Sequence, residues 1–330
     1  MAEGTRRGRR RRGSAPPVAA LDLGTNNCRL LIAASSLGRD LRIVDSFSRI
    51  VRLGEGVAQS GVLSQAAIER TVEALKVCAA HLKAKRVGRL RAVATAACRR
   101  ASNADVLLAR ARDETGIELE IISAEEEARL AAIGCAPLID PKAQGALIFD
   151  IGGGSTEIIW MRRDGEGAAQ VIASDSQSVG VVTLAEDGGA ASGFECMRDA
   201  MIARLKPVRA RMEAAAPFAE AGHHLLGTSG TVTTLAAIAL GLPRYDRSKV
   251  DTSWHLCRDI LAVIDRLVAL DLKGRAASGP VGADRADLIV PGCALFAAIH
   301  ALWPCERLRV ADRGLREGML RELLAPRARR

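Results

Sequence analysis

The apolar residues of this chain fall first into β-like blocks. Val18–Leu23, Cys28–Ala34 and Leu41–Leu53 are dense in Val, Ile and Leu. They are parted by polar, Gly-containing stretches, the second at Leu37-Gly38-Arg39-Asp40, so they predict a three-stranded meander. Gly54-Glu55-Gly56 ends it. The spacing then turns helical: Ile68, Val72, Leu75, Ala79 and Leu82 follow Ser64, a suitable N-cap. Leu90–Ala94 predicts a short strand, Ala104–Thr115 a helix and Ile117–Ile122 a strand. Ser123 opens another helix, to about Gly134.

After Pro137 and Pro141 the series restarts. Ala146–Ile151 and Thr156–Met161 predict strands, Asp164-Gly165-Glu166-Gly167 a turn, and Val171–Ser174 a third strand. A helix over Phe194–Ala215, a strand at His224–Gly227 and a helix over Thr231–Leu240 follow. Residues 251–270 and 284–303 read as helices, and Arg313–Leu324 as an amphipathic one. The order β-β-β-α-β-α-β-α is that of a ribonuclease-H-like domain. The expectation is therefore an α/β protein of two such domains, 18–138 and 139–312, with a cleft between them. Residues 1–17 stand outside as an Arg-rich tail.

The two halves share a local signature. Asp22-Leu23-Gly24-Thr25-Asn26-Asn27 and Asp150-Ile151-Gly152-Gly153-Gly154-Ser155 each put an aspartate at a strand end before a Gly/small-polar turn. Glycine there admits positive φ or close approach of a ligand. Successive backbone N–H groups form a nest for an anion. An aspartate oxygen suits Mg²⁺. Either unit alone could be an ordinary hairpin turn; two with the same core point to a two-sided phosphate grip. Gly227-Thr228-Ser229-Gly230-Thr231 is a third Gly-rich loop, before a helix whose start could hold phosphate or simply be capped by Ser229 or Thr231.

Composition narrows the ligand. The 330 residues carry a net charge of +9, and Arg6, Arg7 and Arg9 to Arg12 concentrate it in the tail. That tail reads as a disordered, solvated terminus, with polyphosphate, nucleic-acid or acidic-lipid contact as the alternative. Aromatic content of 3% argues against a stacking platform for single strands. The eight cysteines form no C-x-x-C pair and read as buried free thiols of a reducing compartment. Neither a secretory h-region nor a clean membrane span is evident, so a soluble cytoplasmic protein without a membrane partner is expected.

Other polar residues admit two readings. Ser123 and Glu126 have capping-box spacing, and Glu125, Glu126 and Glu127 suit a helix N-terminus. One of these carboxylates could instead be a general base over a bound phosphate. Arg99 could bind phosphate in bidentate fashion or lie on the surface. Glu157 could share a cation with Asp150 if the turn between them folds back as a hairpin.

The chain resembles the Ppx/GppA phosphatase family, exopolyphosphatases and guanosine pentaphosphate phosphohydrolases of the actin-like ATPase superfamily. The resemblance runs from residue 18 to about 324. It is carried by ALDLGTNNCRLLIA (20–33), RLGEGV (52–57), VATAACRRASN (93–103), IISAEEEARL (121–130), FDIGGGSTEI (149–158), GTSGTVTTLAAI (227–238), DRADLIVPG (284–292) and DRGLREGML (312–320). It implies phosphate binding by Gly24, Thr25, Asn26 and Asn27, by Gly152, Gly153, Gly154, Ser155 and Thr156, and by Arg99, with Thr228, Ser229 and Gly230 lining the same cleft. It implies Asp22, Asp150 and Glu157 around Mg²⁺, Arg285 in or near the cleft, and Glu126 as catalytic base. It also implies that Arg313–Leu324 folds back on the first domain, and a homodimer. The expected reaction is Mg²⁺-dependent release of terminal orthophosphate from inorganic polyphosphate. Hydrolysis of pppGpp, or a sensor that binds an alarmone without hydrolysis, are the alternatives. The chain ends at 330 without the added helical region of longer members, so chain-length preference stays open.

Overall fold

The computed structural model describes residues 15–34, 41–164, 167–186, 190–218 and 222–325. Most of the tail and the predicted turn at 37–40 lie outside them, as does part of the turn at 164–167.

Two sheets form the frame. The first holds β1 (Val18–Leu23), β2 (Asn27–Ala34), β3 (Arg42–Ile50), β4 (Arg89–Ala94) and β5 (Glu120–Ile121) in the order 3-2-1-4-5. β1 runs antiparallel to β2 and parallel to β4. The second holds β6 (Gly145–Ile151), β7 (Thr156–Arg163), β8 (Ala169–Gln177), β9 (His223–Thr228), β10 (Trp254–Leu256) and β11 (Arg307–Ala311) in the order 10-11-9-6-7-8. Read from β8, this repeats the first sheet, with β11 in the place of β5 and β10 added at the edge. Both halves are ribonuclease-H-like.

Helices cover the sheets because the inner strands β1, β2, β6 and β7 are apolar on both faces. Gln65–Ala84 and Ala104–Thr115 bury Ile68, Val72, Leu75 and Leu107 against Leu21, Leu23 and Leu30. Ser64 caps the first of them, its hydroxyl accepting from Ala67 N–H. In the second half, Ile260, Val263, Leu295 and Phe296 of the helices Cys257–Ala269 and Ile289–Leu302 pack on Phe149, Ile158 and Leu225.

Two helices lie between the halves. Ala124–Cys135 sends Leu130 toward Val18, Ala20 and Leu31 of the first sheet, and Ala128, Ala131 and Ala132 toward Ile148 and Ile159 of the second. The C-terminal helix Leu315–Leu324 packs Leu315, Met319 and Leu320 on the first sheet. The two helices cross backbone to backbone. A Cβ on Gly134 would lie 2.1 Å from Gly314 O, and one on Gly318 2.0 Å from Leu130 O.

Several elements depart from the sequence reading. The third strand stops at Ile50, and residues 53–56 turn into a short helix, Val57–Ser60. The strand over 117–122 shrinks to two residues. Within 251–270, Trp254–Leu256 is a strand and the helix begins at Cys257. Strand β11 was not foreseen, and the helix expected over 284–303 starts at Ile289. Tertiary pairing explains the two unforeseen strands: Trp254 to Leu256 lie antiparallel to Arg307–Arg309, which adds an edge to the second sheet. The cysteines are free thiols, and all but the exposed Cys196 are buried.

Candidate active site

The sheet registers place the acidic residues. Asp22 stands across from Arg29 in the β1–β2 pair, and Asp150 stands across from Glu157 in the β6–β7 pair. In both hairpins the turn closes the same way: Gly24 N–H donates to Asn27 O at 2.9 Å, and Gly152 N–H to Ser155 O at 2.9 Å. The hairpin expected between Asp150 and Glu157 thus forms, and both carboxylates point into one cavity. That cavity, of about 120 Å³, is bounded by Asp22, both loops, Arg29, Thr95, Glu127, Asp150, Glu157, Ser229–Thr231 and Arg285.

The loop glycines serve close approach rather than positive φ. None of Gly24, Gly152, Gly153 and Gly154 lies in the left-handed region. A Cβ on Gly154 would fall 2.5 Å from Thr25 Oγ1, and one on Gly153 3.0 Å from Thr25 Cβ. The loops of the two domains therefore touch, and glycine is what lets them. Left-handed backbone occurs instead at Ser229, with φ 101°. Such a non-glycine conformation costs about 1–3 kcal/mol. Ser229 makes no side-chain cap, which corrects the capping alternative, and its buried hydroxyl has no hydrogen-bond partner among the described residues. Asn26 Oδ1 and Asn27 Oδ1 are likewise buried without a partner there. Unsatisfied polar atoms converging on a cavity mark the place of a polar ligand.

The glutamate assignment needs correction. Ser123 Oγ does accept from Glu126 N–H at 3.1 Å, so the helix is capped. The Glu126 carboxylate turns away from the cavity. Arg129 bonds it at 2.7 and 2.9 Å and Arg91 at 2.8 Å, and these arginines hold it ionised with a pKa of about 2. A carboxylate so paired is a poor proton acceptor. Glu127 lines the cavity instead. Burial pushes its pKa up to about 7; Arg99 opposes the rise, and Asp22 and Asp150 add to it. Helical phase is the cause. Glu126 shares the row of Leu130, which meets the C-terminal helix side. Glu127 shares the row of Ala131, which faces the second sheet.

Other expected ligands move in role. Arg99 lies outside the cavity wall and donates to Glu127 Oε2 at 2.7 Å and Ile122 O at 3.0 Å. Its guanidinium holds the glutamate rather than facing a phosphate. Thr156 is fully buried and donates to Val179 O, and Thr228 donates to Arg313 O. Neither hydroxyl is free for a ligand. Gly24, Thr25, Asn26, Asn27, Gly152 to Ser155, Ser229, Gly230 and Arg285 do line the cavity.

Arg29 was missed, although its place opposite Asp22 follows once the hairpin register is assigned. The cavity continues past Asp22 and Asp150 into a chamber of about 330 Å³ that also meets Arg247, Arg313 and Arg316. Arg29, Arg285 and Arg316 have no carboxylate within ion-pair distance among the described residues. Burial and the neighbouring Arg29 charge both push the Arg285 pKa down, a crowding of cations that an anion would relieve.

The carboxylates show the converse strain. Burial raises the pKa of Asp22, raises Asp150 to about 6, and holds Glu157 well above the carboxylate range with help from Glu127 and Asp150. Ser176 donates to Glu157 Oε1 at 2.8 Å, and the hydroxyls of Ser155 and Ser176 both oppose the rise. Among the described residues, no group of three or more His, Cys, Asp or Glu side chains is arranged to hold a metal alone. The donor set nevertheless fits Mg²⁺, which is commonly bound by one or two carboxylates together with substrate phosphates.

A cleft between two ribonuclease-H-like domains, with a Gly-rich turn from each, defines a phosphate-handling member of the actin-like fold. Residues 31–326 match the Ppx/GppA phosphatase family, and the chain belongs to it. It is 37% identical over 286 residues to exopolyphosphatase 2 of Mycobacterium tuberculosis, covering 83% of this chain and 87% of that one. It is 29% identical over 316 residues to the guanosine-5'-triphosphate,3'-diphosphate pyrophosphatase of Photobacterium profundum, covering 94% of this chain and 60% of that one. The crystal structure of the Aquifex aeolicus Ppx/GppA family member superposes with a TM-score of 0.73 at 30% identity, over 93% of this chain and 97% of that one.

Proposed function

We propose that this protein hydrolyses phosphoanhydrides, releasing terminal orthophosphate from inorganic polyphosphate. The observation that carries the reading is the pairing, in one cavity, of Glu127 poised near neutrality with Arg29 and Arg285, which form no close ion pair with a carboxylate among the described residues. The exopolyphosphatase relative supports the substrate. The terminal phosphoryl group lies between the Gly24–Asn27 and Gly152–Ser155 turns, whose N–H groups and hydroxyls receive its oxygens. Arg29 and Arg285 hold the phosphates that follow. Glu127, steadied by Arg99, orients a water in line with the scissile bond and takes its proton. Asp150 and Glu157, with Asp22 beside them, would hold Mg²⁺. The ion supplies charge neutralisation for the phosphoryl oxygens.

Hydrolysis of pppGpp is the second reading, favoured by the likeness to the Photobacterium enzyme and by the breadth of the chamber beyond the cavity. Phosphate release from long-chain polyphosphate, pppGpp and ATP in the presence of Mg²⁺ separates them, with Glu127→Gln as the control. Release that Glu127→Gln abolishes supports the hydrolase and ranks its substrates. Binding of all three without release points to a sensor. No helix among the described residues is long and apolar enough to cross a membrane. A cytoplasmic setting is part of the proposal, supported by the free thiols.

A further inference from the structure

The RLGEGV segment takes no part in the chemistry above, yet it touches both halves of the frame. Arg52 has left-handed backbone, φ 47°. Arg70 braces that backbone by donating to Val51 O at 2.9 Å and Arg52 O at 3.3 Å. In this conformation Val51 and Arg52 both donate their N–H to Asn26 O, at 2.9 and 3.0 Å, and Gly54 N–H donates to Thr25 O at 2.9 Å. The segment is therefore the floor of the first phosphate loop. The Arg52 side chain leaves in the other direction. It reaches Asp287 at 3.0 and 3.3 Å and Asp284 O at 3.2 Å in the second domain. Those residues flank Arg285, a cation of the cavity wall. A second tie lies beside it: Gly56 N–H donates to Glu186 Oε1 at 2.9 Å, and Gln59 Nε2 to Glu186 O at 3.4 Å.

We propose that Arg52 is a positioning residue which clasps the two domains in the arrangement seen here and so sets the distance between the first phosphate loop and Arg285. The proposal rests on the hydrolase reading for its kinetic test only. Its backbone fixes the loop and its guanidinium fixes the turn that carries Arg285. One residue thus couples closure of the domains to assembly of the anion site. Without the clasp, open forms gain population and apparent affinity falls by the fraction that stays closed. Saturating substrate restores closure, so turnover at saturation is retained.

The test compares wild type with Asp287→Ala and Arg52→Gly. Glycine suits the left-handed backbone, so the second variant removes the side chain without strain there. Both are expected to raise KM for polyphosphate about fivefold or more and to leave kcat within about twofold. Both are expected to increase the substrate-free radius of gyration in small-angle X-ray scattering. The reversed pair, Arg52→Asp with Asp287→Arg, is expected to recover much of the lost affinity. Unchanged KM and scattering in both variants would overturn the clasp. So would a fall in kcat at constant KM, or a reversed pair no better than the single variants. Should wild type release no phosphate from any substrate, the hydrolase reading fails, and scattering alone decides the clasp.

Discussion

Glu126 and Glu127 are adjacent, chemically identical and oppositely placed. Two arginines quench the first, and burial among carboxylates raises the second. Glu127→Gln should lower kcat by about 10²–10⁴-fold. Glu126→Gln should leave kcat within about twofold and cost at most about 1 kcal/mol, because its ion pairs are partly exposed. Steady-state kinetics and urea unfolding of both variants check this. A base with a pKa of about 7 works only when ionised, so kcat/KM should fall about tenfold between pH 8 and pH 6. Glu127→Gln should flatten that limb in its residual activity. The triplet of glutamates was legible as a place for a base. Which member faces the cleft was not, since that depends on which neighbour covers the Leu130 row and which the Ala131 row.

Asp150 extends the residue-scale reasoning to stability. Its pKa in the folded protein is about 6, above the ordinary carboxylate value of 3.8, because burial disfavours its charge. The folded state therefore binds more protons than the unfolded state between those values. The stabilising contribution of the protonated form is complete below 3.8 and is lost as pH rises through about 6. In metal-free buffer, Asp150→Asn should raise Tm by roughly 2–4 °C at pH 7.5 and much less at pH 4, by differential scanning calorimetry. A variant less stable than wild type at pH 7.5 would contradict the burial argument.

At the scale of elements, the crossing of Ala124–Cys135 with Leu315–Leu324 holds the halves together. Gly318 sits inside a helix, where alanine is intrinsically favoured by about 1 kcal/mol. The 2.0 Å approach of its would-be Cβ to Leu130 O reverses the sign. Gly318→Ala should destabilise by about 1–3 kcal/mol in urea titration. Helix periodicity made most covering helices readable. It concealed β10, because the strand is only three residues long and runs straight into the apolar stripe of Cys257, Ile260, Val263 and Ile264. Strand β11 carries the alternation of a strand, Arg307 and Arg309 with Leu308 and Val310, and was missed because it is only five residues long between two helices.

For the molecule as a whole, the duplicated frame was readable from the two Asp–Gly turns, and the cleft followed from the frame. The charge balance inside the cleft was less so. Arg29, Arg285 and Arg316 are far apart in sequence, and only the fold shows that they share one chamber. Attraction by such a group is screened by salt. Raising KCl from about 50 mM to about 500 mM should raise KM for polyphosphate several-fold with little change in kcat. Insensitivity of KM to salt would argue that backbone donors alone carry affinity.

The two hairpins match in register and differ in sign. Seven residues after the aspartate, one carries Arg29 and the other Glu157. Had the copies stayed alike, the cleft would offer the same chemical face twice. At that register position the space between them gains a polarity, a guanidinium on one side and a carboxylate on the other. A displacement at phosphorus has a direction of its own, with water arriving on one side as charge departs on the other. The duplication supplied two walls, and their divergence at one position made them ends of a vector.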